Sequence, residues 1–154
     1  MLKIEFKKGR GKDMLVCTRA DGSTTWMQTT AFFTIHDLAH YVVEKNLNFR
    51  HGFYGMVAGG VNITDFEDKQ KFRPRELPLE ALYAENLVVL LLTELSDSRL
   101  IEDFQKSFND VCLQFGSPLL MIDAALLATM RNEIRELIDH WKSLAENKTL
   151  QLNF

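Results

Sequence analysis

Residues 1–47, MLKIEFKKGRGKDMLVCTRADGSTTWMQTTAFFTIHDLAHYVVEKNL, decide the fold, because the spacing of their apolar side chains changes period partway along. Leu2, Ile4 and Phe6 alternate with Lys3, Glu5 and Lys7, the period-two pattern of a strand with one buried face. Gly9-Arg10-Gly11-Lys12 reads as a turn and Met14 to Arg19 as a second strand. Asp21-Gly22 is a hairpin signal before a third strand, Thr24 to Thr30. The spacing then becomes helical, with Ile35, Leu38, Ala39, Val42 and Val43 on one stripe of a helix over about 35–47. Thr34 at the N-cap, Asp37 three residues on and the pair Phe33 and Leu38 fit a capping box with a hydrophobic staple. These readings predict a three-stranded antiparallel meander over about 2–30, and a sheet so small must pack its apolar face on helices.

Downstream, Gly52, Gly55, Gly59 and Gly60 punctuate an aromatic-rich stretch that reads as a loop or broken element, with Val61 to Thr64 extended. Asp65 to Glu76 reads as a charged surface loop bounded by Pro74 and Pro78. Three helices complete the chain, over about 78–95, 98–115 and 118–147. The first is apolar on almost every side and therefore central. The second carries Ile101, Phe104, Phe108, Val111 and Phe115 at alternating spacings of three and four and stops at Gly116. Ser117-Pro118 supplies a cap followed by a first-turn proline for the third. Its heptad-like positions, Leu120, Leu127, Ile134 and Trp141 with Met130, Leu137 and Leu144, predict a long antiparallel hairpin between the last two helices. The expected class is α+β, one domain over 1–154, with the meander packed on about four helices.

Composition narrows the function classes. The 154 residues are 46% apolar and 25% charged, ordinary globular values. Net charge is −3 and no basic block exceeds Lys7-Lys8, which argues against a nucleic-acid partner. The longest aliphatic run, Leu87 to Leu92, is far short of the roughly 20 residues needed to span a bilayer, so no membrane role is expected. The N-terminus lacks a leader's apolar run, and a cytoplasmic location is the expectation. Cys17 and Cys112 sit in apolar contexts, in no metal or redox spacing, and read as small buried hydrophobes.

Chemistry concentrates at His36-Asp37-Leu38-Ala39-His40. On a helix, positions i and i+4 share a face, so His36 and His40 point the same way, and Glu44 extends the row by a turn. Glu85 falls between Ala81, Val88 and Leu92, on a face expected to be buried, where a carboxylate needs a cation or a proton. Two histidines and a carboxylate with an open position form a recurrent catalytic metal geometry, suited to Zn²⁺ or Fe²⁺. The candidate ligands, in descending order, are His36, His40, Glu85, Asp37 and Glu44, with Phe53 and Tyr54 walling a pocket. Plainer roles stand beside these: Asp37 as cap partner of Thr34, Glu44 as a solvated residue, and Glu85 in an ion pair with Arg50, Arg73 or Arg75. The glycines neither follow a strand nor open a helix in this reading, so no nucleotide cofactor is predicted. No Ser or Cys stands in a nucleophile's setting.

Ala20-Asp21-Gly22-Ser23 with Trp26, then Phe32-Phe33-x-x-His36-Asp37-Leu38-x-His40-Tyr41-x-Val43-Glu44, then Gly52-Phe53-Tyr54-Gly55, resembles a family of small, uncharacterised bacterial proteins over about residues 14–95. His36, Asp37 and His40 also resemble, locally, the HDxxH zinc motif of ubiquinone-biosynthesis proteins. The distal Glu of that motif falls here on Gly52, and the strand-rich N-terminus differs from that all-helical family. What the local resemblance implies is metal chemistry at His36 and His40. The leading expectation is thus a metal-binding protein or metal-dependent enzyme acting on a small molecule. Two alternatives are an assembly module, for example a homodimer, built on the C-terminal hairpin, and a metal-free small-molecule binding domain.

Overall fold

The computed structural model describes residues 1–68, 70, 71 and 76–154. The chain is α+β, with strands β1 (Lys3–Lys7), β2 (Asp13–Thr18), β3 (Thr24–Thr29) and β4 (Thr149–Asn153). The helices are α1 (Ala31–Asn46), α2 (Phe53–Ala58), α3 (Leu79–Asp97), α4 (Phe104–Gln114) and α5 (Ala124–Ser143), and a 3-10 turn covers Ile63–Glu67. All strand pairings are antiparallel, in the order β3-β2-β1-β4.

The meander forms as its alternation predicts, and a fourth strand joins it from the far end of the chain. Leu150 and Leu152 alternate with Thr149 and Gln151, and β4 places them opposite Phe6 and Ile4. One inner row therefore runs Met27, Leu15, Phe6, Leu150 across the sheet, and the next runs Thr25, Cys17, Ile4, Leu152. Trp141 of α5 meets the Phe6 ring edge-on at 6.1 Å. Lys8 donates to the carbonyl oxygens of Trp141 and Lys142, binding the end of β1 to the last turn of α5.

Several expected boundaries shift. α1 begins at Ala31 rather than near 35. Thr34 is not its cap: the side chain is fully buried, and its hydroxyl donates to Asp13 Oδ2 at 2.9 Å, a partner from β2 that local sequence cannot supply. The staple fails with it, and Phe32 and Phe33 are left largely exposed. The segment read as a glycine-broken loop contains α2, and the stretch expected to be extended begins a 3-10 turn. α4 starts at Phe104, where Asp103 caps it, and Phe115 lies exposed beyond its end. α5 starts at Ala124, capped by Asp123, rather than at Ser117-Pro118. Residues 118–122 are instead held by other elements, with Tyr83 donating to Pro118 O and Gln105 bonding both Leu120 O and Ile122 N–H.

The expected C-terminal hairpin is corrected as well. α5 packs chiefly against α1, and α4 against α3. Met130, Ile134, Ile138 and Trp141 of α5 are buried within the chain, while Leu120, Leu127, Leu137 and Leu144 are partly buried against the same core. α1 packs on α2, α3, α5 and β2, and α3, expected to be central, packs on α1 and α4. Cys17 and Cys112 are buried free thiols. Among the described residues, no helix is long and apolar enough to cross a membrane.

If β4 is a structural element of the core and not a loose tail, Leu150→Ala should cost about 2–4 kcal/mol in denaturant unfolding, the usual range for such a truncation. A loss below about 0.5 kcal/mol, the scale of an ordinary surface change, would show that β4 contributes little.

Candidate metal centre

The site is built on α1 and α3 and anchored by α2. His36, His40 and Glu44 occupy successive turns of α1, as the i,i+4 spacing requires. Glu85 reaches across from α3. His36 Nε2 lies 3.3 Å from Glu85 Oε1, and His40 Nε2 lies 3.0 Å from Glu85 Oε2, so a single carboxylate bridges both rings. On its other side, His40 Nδ1 lies 3.1 Å from Glu44 Oε1. The order of contacts is Glu44, His40, Glu85, His36.

Burial reverses two sequence expectations. Glu44, read as a solvated residue, has no exposed surface, whereas Glu85, read as buried, has a side chain that is 51% exposed. The expected ion pair of Glu85 with Arg50 is absent; Arg73 and Arg75 lie outside the described residues. Glu44 is tolerated inside because its charge is fully engaged. Oε1 accepts from Phe53 N–H and Oε2 from Tyr54 N–H, both at 2.9 Å, in addition to the histidine. These are the first amides of α2, so Glu44 acts as that helix's cap from another element.

Gly52, which directly precedes α2, makes this approach possible. A Cβ at position 52 would stand 2.4 Å from Glu44 Cδ and Oε2. The carboxylate of Glu44 thus fills the space beside the backbone at position 52. It also corrects the view that no glycine opens a helix: Gly52 does, but Glu44 already occupies the amides that a phosphate would use. Neither signal was accessible from spacing alone. Glu80 of α3 accepts in addition from Arg50 N–H and His51 N–H, so carboxylates from α1 and α3 together grip residues 50–54.

The remaining candidates fall outside the converging set. Asp37 Oδ1 is 3.9 Å from His36 Nδ1, and Thr34, its expected cap partner, bonds Asp13 instead. Tyr54 does not wall a pocket; it is fully buried and donates its hydroxyl hydrogen to Asp37 O at 3.0 Å. Phe53 is half-buried, its ring 6.1 Å from that of His40 and 4.7 Å from that of Phe66. None of the five principal cavities of the described residues is lined by His36, His40, Glu85, Phe53 or Tyr54.

The electrostatics follow from the contacts. A carboxylate can only accept, so His40 makes both of its hydrogen bonds only as an imidazolium donating from both nitrogens. Burial works against that cation, but the hydrogen bonds and charges of Glu44 and Glu85 outweigh it and lift His40 to about 9. Burial likewise opposes the charged form of His36, and its contacts with Asp37 and Glu85 raise it nonetheless. Hydrogen bonds from His36 and His40 hold Glu85 far below the ordinary carboxylate range. Burial pushes the Cys17 thiol up to about 12, so it is no nucleophile at neutral pH.

One ligand atom from each of His36, His40 and Glu85 can be chosen so that all lie within 4.8 Å of one another, a spacing that fits a single ion. No family, no curated protein and no solved structure matches the chain.

Two outcomes test this geometry in chelator-treated protein. Gly52→Ala should destabilise by about 1–3 kcal/mol, the cost of leaving buried polar groups unpaired, because Glu44 must swing away from the α2 amides. Unchanged stability would mean that Glu44 is free to move. The His40 imidazole should titrate by NMR near pH 9, and at a lower pH in Glu85→Gln. Since this value lies above the 6.5 of a free imidazole, the stabilisation is complete below about pH 6.5 and is lost as pH rises through 9. A wild-type midpoint at or below 6.5 would contradict the double hydrogen bond.

Proposed function

We propose that the chain binds one divalent transition-metal ion through His36, His40 Nε2 and Glu85, and that the bound ion acts on a small-molecule substrate. The observation that supports this most directly is the convergence of the three ligand atoms within 4.8 Å from two different helices. The local resemblance to the HDxxH zinc motif points the same way.

The residues divide the work. Glu44 occupies His40 Nδ1 and thereby directs Nε2 outward, the role that a carboxylate behind a ligating histidine commonly fills. Buried and pinned by two backbone amides, Glu44 holds that ring in one orientation. His36 and Glu85 keep partial contact with solvent, leaving an open side for water or substrate. Two neutral imidazoles and a carboxylate suit Zn²⁺ or Fe²⁺. When bound, such an ion supplies a Lewis acid that polarises a substrate oxygen or activates water.

Without an ion, the same groups form a proton-filled network that ties α1 to α3, and the two states compete. His40 must lose its proton to ligate, so metal affinity should fall about tenfold per pH unit below 9. His36, also raised by its carboxylate contacts, steepens that dependence further.

Tag-free protein exposed to Zn²⁺, Fe²⁺ or Mn²⁺ and then buffer-exchanged at pH 8 should retain close to one equivalent of Zn²⁺ or Fe²⁺ by elemental analysis. His36→Ala/His40→Ala should lose it, as should Glu85→Gln, whose exposed position makes misfolding an unsuitable explanation for the loss. Absence of retained metal in the wild type, or equal retention in the variants, would leave the cluster as a structural hydrogen-bond network.

A further inference from the structure

Away from the histidine cluster, the C-terminal end of α3 and the middle of α5 line a half-open cavity of about 380 Å³. This lies within the size range of small-ligand sites, roughly 300–1,000 Å³. Its apolar lining comes from Leu91, Leu95, Leu100 and Ile134, of which Leu91 and Ile134 are buried. Three arginines, Arg99, Arg131 and Arg135, share that lining with a single carboxylate, Glu94.

Glu94 is buried and already neutralised. Arg131 donates to it through Nε at 2.8 Å and Nη2 at 2.6 Å, and Ile101 N–H donates to Oε1 at 2.9 Å. The same contacts tie the walls of the cavity together. The fork holds Arg131, whose guanidinium also lies 5.3 Å from the Phe104 ring centre, and the Ile101 bond fixes the turn that follows α3. Ser98, in the left-handed region at φ 51°, turns the chain so that Arg99 and Leu100 reach the cavity. A buried ion pair is often no more stabilising than apolar side chains of equal volume. Here it has a consequence that apolar residues would not provide: it places a guanidinium on the cavity lining, with its Nη1 hydrogens not used by Glu94.

Arg99 and Arg135 are exposed, and among the described residues neither has a carboxylate within ion-pair distance. The lining therefore carries three positive charges against one negative, beside a floor of aliphatic side chains. Guanidinium forks match the geometry of carboxylate and phosphate oxygens, and the aliphatic floor matches a hydrocarbon body. We propose that this cavity binds a small amphiphilic oxyanion, a carboxylate or phosphate carried on an aliphatic chain, with Arg99, Arg131 and Arg135 taking the charged head. The proposal is independent of metal at His36 and His40.

The test is a titration of the full chain, in the presence of chelator, with octanoate, octyl phosphate, octanol and inorganic phosphate, read by calorimetry and by methyl NMR. Octanoate or octyl phosphate should saturate one site and shift the methyl signals of Leu91, Leu95, Leu100 and Ile134. Arg99→Gln/Arg135→Gln should weaken that binding at least tenfold with an unchanged unfolding midpoint, because both side chains are exposed. Arg131 is left intact, since its removal would strand Glu94. A preference for octyl phosphate assigns a phosphate head, and equal or tighter binding of octanoate assigns a carboxylate. Octanol binding as tightly as the anions would overturn the proposal, as would inorganic phosphate alone matching them. So would unchanged affinity in the double variant, or no saturable binding of either amphiphile.

Discussion

The arrangement around the histidines depends on one constraint, the burial of the Glu44 carboxylate. A charge with no exposed surface must have every oxygen engaged, since unpaired burial costs several kcal/mol. Glu44 meets that demand with Phe53 N–H, Tyr54 N–H and the His40 ring. Each partner has a structural consequence. The two amides bring the start of α2 against α1, which requires a residue without a side chain at Gly52. The ring contact fixes His40 with Nε2 toward α3, where Glu85 meets it. Tyr54, drawn inward with α2, then bonds the carbonyl of Asp37 and closes α2 onto α1.

A second buried carboxylate, Glu94, meets the same demand differently. Its partners are the Arg131 fork and the amide of Ile101, which join α3 to α5 and to the turn before α4. Glu44 is matched by amides and a titratable imidazolium, Glu94 by a guanidinium that stays charged at any working pH. The first arrangement can gain or lose a proton; the second can only position what surrounds it. This contrast separates a candidate reactive centre from a candidate anion-binding cavity on different parts of α3.

The sheet gives both regions a common frame. β1 lies between β2 and β4, so the first strand of the chain is covered on both edges, one partner coming from its immediate neighbour and the other from the last residues. Phe6 meets Trp141, and Lys8 takes up carbonyl oxygens at the end of α5. α5 is thereby fixed at its C-terminus by the sheet and along its length by α1, and α1 carries the histidines.

The sequence by itself determined the elements whose evidence is periodic and local. The alternation in residues 2–7 and the Asp21-Gly22 turn specified the meander, the apolar stripe specified α1, and the i,i+4 spacing put His36 and His40 on one face. Leu150 and Leu152 carried the same alternation at the other end, but five residues cannot declare a partner some 140 positions away. Tertiary structure alone decided which carboxylate is buried, because burial depends on what packs opposite. Glu44 disappears beneath α2, a six-residue helix with too little length to show a period, and Glu85 stands at the open edge of the α1–α3 contact. It also decided where helices begin. Thr34 looked like a cap until Asp13, far away in sequence and adjacent in space, offered its hydroxyl a partner inside the core. Local spacing fixes which side chains share a face; only the folded chain fixes what that face meets.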